Sequence, residues 1–158
     1  MPRVYTARAA RDYPEKGIKK GETYYWWQFY RQRSKNMSPN RPRRSQLTQR
    51  EELQIIYDAE DDAAALQWDY ANRDDLKESV AEIEQRVSEA RDAAQEKYDN
   101  LPENFQQAER GQELEQFVSD CESLESELSD IVSELDNCES EEEFEGITEP
   151  KDCSWPSC

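Results

Sequence analysis

The sequence predicts a mainly α protein: a short N-terminal β element, one helix, an antiparallel helical coiled-coil hairpin, and a disordered acidic tail. Three observations carry this. Leu114, Phe117, Cys121, Leu124, Leu128, Ile131, Leu135 and Cys138 recur at alternating steps of three and four, as do Leu76, Val80, Ile83, Val87, Ala90 and Ala94. That spacing lays one apolar seam along each of two helices, the period at which helices zip together. Between the seams, Asn100-Leu101-Pro102-Glu103-Asn104 places a proline and two asparagines where the first helix must stop. Hydrophobic residues make up 35% of the chain and charged residues 36%, so any core is thin, which suits a long two-helix seam better than a globule.

Three segments follow from this: a basic aromatic β arm at 1–47, a helical domain at 48–138 containing the hairpin 74–138, and a flexible tail at 139–158. Residues 1–20 are basic and interrupted by Pro14 and Gly17, which predicts mostly irregular structure. Residues 22–30, from Glu22 through Thr23, Tyr24, Tyr25, Trp26, Trp27, Gln28 and Phe29 to Tyr30, give the clear strand signal. Its aromatics are consecutive, so both faces need cover. Arg31 to Asn36 reads as a turn into a short return strand, and Met37 to Arg44 as an extended linker. Thr48 and Glu51 have the spacing of a capping box, with Leu47 as the staple, so a helix should begin near Thr48. Leu53, Ile56, Tyr57, Ala63 and Tyr70 form its apolar face. A break near Asn72 precedes Asp74 and Asp75, acids that favour a helix start. The run Glu139-Ser140-Glu141-Glu142-Glu143-Phe144-Glu145-Gly146 opens the acidic tail.

The net charge of -17 conceals an asymmetry. Residues 1–50 hold 13 Lys and Arg against 3 Asp and Glu, whereas residues 51–158 hold 7 against 34. Opposed halves of this kind point to self-contact or to two different partners. There is no histidine, which excludes Ser-His and Cys-His catalysis and the commonest zinc ligand. Phosphate-binding Gly loops and nucleophile elbows are missing too, so an enzyme is not expected. The first 17 residues have scattered charges and no apolar core, and no apolar run reaches membrane-span length, so a soluble intracellular protein is expected. Cys121 and Cys138 are seam positions, where a thiol acts as a small apolar residue. Cys153 and Cys158 could close a loop or hold a soft metal, but without histidine or a second close pair no metal or cofactor is expected.

Two stretches can carry function. In the first, the aromatic strand runs into Arg31, Arg33, Lys35, Arg41, Arg43 and Arg44. Cations hold phosphates and aromatic faces stack unpaired bases, so this part suits nucleic acid, with Trp26 and Trp27 for stacking or packing. The competing reading makes the aromatics a small core and the arginines a solvated surface. The second stretch runs from Gly111 to Pro150, with 15 acids and no base. Glu122, Glu125 and Asp130 would lie on a surface that imitates a phosphate backbone, keeps the coiled coil soluble, or docks on the basic half.

Gly17-Ile18-Lys19-Lys20-Gly21-Glu22-Thr23-Tyr24-Tyr25-Trp26-Trp27, Arg41-Pro42-Arg43-Arg44-Ser45-Gln46-Leu47-Thr48-Gln49 and Gln95-Glu96-Lys97-Tyr98-Asp99-Asn100-Leu101-Pro102-Glu103 together resemble a group of small uncharacterised phage and prophage proteins. The likeness covers a little under a fifth of the chain. It implies a mobile-element origin and a bacterial cytoplasm, and it carries over no functional residue. The hairpin of that group turns through glycines, which Arg31 to Asn36 lacks. The Tyr-Tyr-Trp-Trp strand is also faintly similar to the small β arm domains of phage integrases, which bind DNA. The expectation is a non-catalytic phage accessory protein binding a nucleic acid or nucleoprotein complex through its basic N-terminal part. One alternative is an acidic inhibitor of a host defence or nucleic-acid-binding machine, in the manner of anti-CRISPR proteins. Another is an assembly protein, a homo-oligomer paired through the seam.

Overall fold

Strand-forming residues collect before residue 40 and helix-forming residues after residue 50, and the chain divides accordingly into one unit, Met1–Gln49, and a second from Arg50 onward. A computed structural model of the chain describes residues 1–156. The proposed partnership of Cys153 with Cys158 lies outside the described residues.

The first unit is a three-stranded antiparallel meander of β1 (Tyr5–Arg8), β2 (Thr23–Trp27) and β3 (Asn36–Ser38). Residues 1–20 are therefore not irregular. Val4-Tyr5-Thr6 is strand-forming chemistry hidden between arginines, and it pairs with the aromatic strand, Tyr5 opposite Trp26 and Ala7 opposite Tyr24. The connection continues as a ladder. Ala9 N–H donates to Glu22 (2.9 Å), Gly21 N–H to Ala9 (2.8 Å) and Tyr13 N–H to Ile18 (2.8 Å), with Gly17 at φ +66° turning the tip. The return strand expected after Tyr30 is present as β3. Its turn lacks glycine, and Arg31 takes the left-handed conformation instead, at φ +64°. That conformation costs a side-chain-bearing residue roughly 1–2 kcal/mol. Gln28 braces the turn by donating to the Gln32 carbonyl, and Gln32 in turn accepts from the Asn36 side chain at 3.0 Å.

The second unit holds α1 (Glu51–Ala65), α2 (Arg73–Asp99), α3 (Glu103–Gln106), α4 (Glu109–Asn137) and α5 (Glu141–Phe144). All fourteen seam residues named from the sequence are buried. The pairings Lys77–Asp136 near one end and Arg91–Glu125 further along run α2 and α4 antiparallel. Glu52–Lys97 and Arg86–Asp62 do the same for α1 and α2. Three helices thus share one apolar core, to which α1 contributes Leu53, Ile56, Tyr57, Ala59 and Ala63.

Two sequence expectations need correcting here, the start of the first helix and the tail. The first helix starts at Glu51 with Arg50 as its cap, three residues after Thr48, which is extended (φ -125°). The break between the long helices contains the single turn α3, fastened by Gln106 Nε2 to the Leu101 carbonyl at 3.1 Å. A Cβ on Gly111 would lie 2.0 Å from the Gln106 carbonyl oxygen, so only glycine admits this corner. The acidic tail is also folded. Phe144 is 5% exposed, stacks on Trp68 (5.2 Å) and meets Tyr70 edge-on (5.8 Å). Ser140 caps α5 through Glu143 N–H, while the Glu143 carboxylate accepts from Glu139 N–H. A turn at Pro150–Asp152 reaches α1, and Ser154 N–H donates to Glu127 at 2.9 Å. Charge density alone reads as disorder, but four apolar anchors, Phe144, Ile147, Pro150 and Trp155, outweigh it. No helix among the described residues is long and apolar enough to cross a membrane.

Candidate nucleic-acid interface

In a pleated sheet, directly opposed residues share a face. One face of the N-terminal meander therefore carries Tyr5, Trp26 and Met37 in a row, with Ala7 and Tyr24 beside them. Tyr5 and Trp26 stack at 4.5 Å with 17° between their planes, and Tyr5 remains 43% exposed. Lys35 Nζ lies 4.0 Å from the Trp26 ring centre and the Arg3 guanidinium 5.6 Å from that of Tyr5. Tyr24 meets Tyr13 at 6.2 Å, and Arg11 stands over Tyr13 at 5.3 Å. The result is a surface of rings with cations laid across them.

The residues picked from the sequence divide between locations. Trp26 and Lys35 come together on this face. Trp27 turns to the opposite face and is 5% exposed, so it packs and cannot stack on a ligand. Its indole N–H is buried without a hydrogen-bond partner among the described residues. Arg31 lies over Tyr30 at 5.4 Å in the turn, where Tyr30 is 87% exposed, and Arg33 is exposed in the same turn. Arg41, Arg43 and Arg44 are exposed beyond β3, leading into the helical turn Ser45–Leu47. Arg3, Tyr5, Arg11 and Tyr13 were missed, because their part in the face depends on β1, a four-residue strand whose sequence signal is weak. The unit holds 12 Lys and Arg against 3 Asp and Glu. Two of those acids are occupied by the backbone, Asp12 by Lys20 N–H at 2.6 Å and Glu22 by Lys19 N–H at 2.9 Å.

On the acidic side, Glu122 and Asp130 are exposed on α4, and Asp130 lines two open clefts of about 530 and 280 Å³ beside the folded tail. Glu125 is not a free surface acid, since it accepts from Arg91 Nη1 at 2.6 Å and is mostly covered. Burial pushes its carboxyl above the usual range. Arg91 opposes this without cancelling it, and the neighbouring acids Asp92, Glu122 and Glu84 add to the rise. Arg91 itself is raised chiefly by Asp92. Burial and the adjacent Glu127 push the Cys153 thiol up to about 11, so it is an unreactive thiol at neutral pH.

One charged site was invisible in the sequence. Glu52, 0% exposed, accepts from Lys97 Nζ at 2.5 Å and Arg50 Nε at 2.9 Å, with Arg110 Nη2 at 3.8 Å. Burial alone would raise this carboxyl, but the hydrogen bonds from Lys97 and Arg50 prevail and hold it below its usual value. It fastens the first turn of α1 to the last turn of α2 and the first of α4. Among the described residues no group of His, Cys, Asp and Glu is arranged to hold a metal ion.

The fold is thus a mainly helical protein with a short antiparallel sheet at its N-terminus. Comparison with protein-family models, with curated proteins and with solved structures finds no match to this chain.

Proposed function

We propose that the chain is a non-catalytic, phage-encoded accessory protein that holds a nucleic acid, alone or in a nucleoprotein complex, through its N-terminal unit. The observation that supports this best is the Tyr5–Trp26 stack with Lys35 4.0 Å from the Trp26 ring, on a unit with four times as many cations as acids. Arg31, Arg33, Lys35, Arg41, Arg43 and Arg44 are exposed and serve the phosphates, while Trp26 serves the bases. We read the α2–α4 pair as an antiparallel coiled coil with no catalytic part. Its seam is filled within one chain, which argues against the seam pairing between chains. The test is a titration of labelled DNA and RNA at rising salt. Binding through several phosphates should weaken linearly on a log–log plot, with a slope of about 0.7–0.9 per phosphate contacted. Salt-insensitive binding, or none, counts against the reading.

A second reading rests on α4. Glu115, Glu122, Asp130 and Glu134 are exposed along it, and no base occurs between Gly111 and Pro150. From Glu122 to Asp130 the helix rises about 12 Å, so the carboxylates form a stiff row that could occupy the groove of a basic host protein. In that case neutralising Glu122 and Asp130 abolishes capture of the host protein, while reversing the arginines does not.

A further inference from the structure

We propose that the Tyr5–Trp26 face takes an unpaired strand in preference to a duplex, its bases replacing the cationic side chains that now cover the rings. This rests on the reading above that the unit binds nucleic acid. The two rings are fixed by the sheet, since they occupy directly opposed positions on adjacent strands. Their covers are not. Arg3 precedes β1 and Lys35 precedes β3, and both are long, exposed side chains held over the rings from outside the strands. Lys35 and Tyr5 cannot share a side of Trp26, because one lies 4.0 Å and the other 4.5 Å from its centre. Lys35 therefore occupies the side of Trp26 turned towards β3, next to Met37, and an incoming base that displaces its ammonium would stack there.

A surface cation–ring contact is weaker than a base stacked on an aromatic ring, so the exchange is downhill. The displaced ammonium is then left beside the strand's phosphate. A duplex base has both faces already stacked on its neighbours and cannot make the exchange without leaving the helix. Two residues along β2, about 6.6 Å away on the same face, Tyr24 and Tyr13 with Arg11 provide a second ring-and-cation station.

The test uses the full chain and three fluorescein-labelled probes about 16 nucleotides long, oligo(dT), oligo(U) and a dA·dT duplex. At least one single strand should bind about tenfold or more tighter than the duplex, with quenching of tryptophan fluorescence. Trp26→Leu should remove most of that preference by weakening single-strand binding far more than duplex binding. Trp26→Phe should keep the preference and lose the quenching. A duplex bound as tightly as either strand, or a Trp26→Leu loss equal on strand and duplex, overturns the proposal while nucleic-acid binding survives. No binding to any probe removes both. If Trp26→Leu unfolds the sheet, the strand-to-duplex ratio of the native chain and the quenching in Trp26→Phe decide the matter.

Discussion

In the helical unit a charge is buried to hold helices together, Glu52 among Arg50, Lys97 and Arg110, whereas in the sheet unit cations lie outside, over the rings of Tyr5, Tyr13, Trp26 and Tyr30. The buried acid cannot exchange its partners for water without opening three helix ends. The surface cations can leave their rings at little cost. One arrangement favours stability and the other availability, and the difference directs the search for function to the sheet.

Breaking the buried cluster is the sharpest test of that contrast. Glu52→Ala leaves three part-exposed cations, Arg50, Lys97 and Arg110, converging without their acid, and should cost about 1–3 kcal/mol in denaturant unfolding followed by circular dichroism. Oligonucleotide affinity of the folded fraction should not change. The same carboxylate gives a pH signature. Its folded pKa lies below the ordinary 4.5, so its contribution is present above that pH and lost as the pH falls through the folded value. Glu52→Gln should flatten that part of the acid limb. Glu125 works in the opposite direction: its raised pKa means that acid relieves a strain present at neutral pH.

Phe144→Ala should cost about 3 kcal/mol and expose residues 139–156 to limited proteolysis, leaving binding by the sheet untouched. A cleavage pattern unchanged from the native chain would mean that Trp68 and Tyr70 do not anchor the tail. Reversing Arg31, Arg33 and Lys35 to Glu together should lower oligonucleotide affinity by about two orders of magnitude and flatten its salt slope by about 2, with thermal stability within about 1 kcal/mol of native. The smallest effect separates the two uses of one residue. Arg31→Gly relieves the left-handed turn and should raise the sheet's stability by up to about 1 kcal/mol, while lowering affinity slightly through the lost charge.

Much of the helical architecture is legible in the sequence, because a seam at steps of three and four leaves few alternatives for residues such as Val87 and Leu128. Glu52 was not legible. An acid in the first turn of a helix ordinarily faces water, and only the fold brings Lys97, 45 positions away, to it. The tail misled for a related reason, since five glutamates around Phe144 hide the one ring that anchors it. In the sheet, Trp26 and Trp27 are adjacent and chemically identical. Which of them faces outward depends on register, and register depends on β1, which its flanking arginines conceal.

The folded tail has a consequence for self-association. Glu141, Glu142, Glu143 and Glu145 ride on α5 and the turn after it, so their charge is a fixed pattern and not a diffuse halo. At physiological ionic strength such a pattern reaches about 8 Å into solvent. A second copy approaching this flank meets carboxylates at set positions and carries few bases on its own matching flank to offset them. The flank repels its own kind, and any molecule that settles there must bring the positive charge with it.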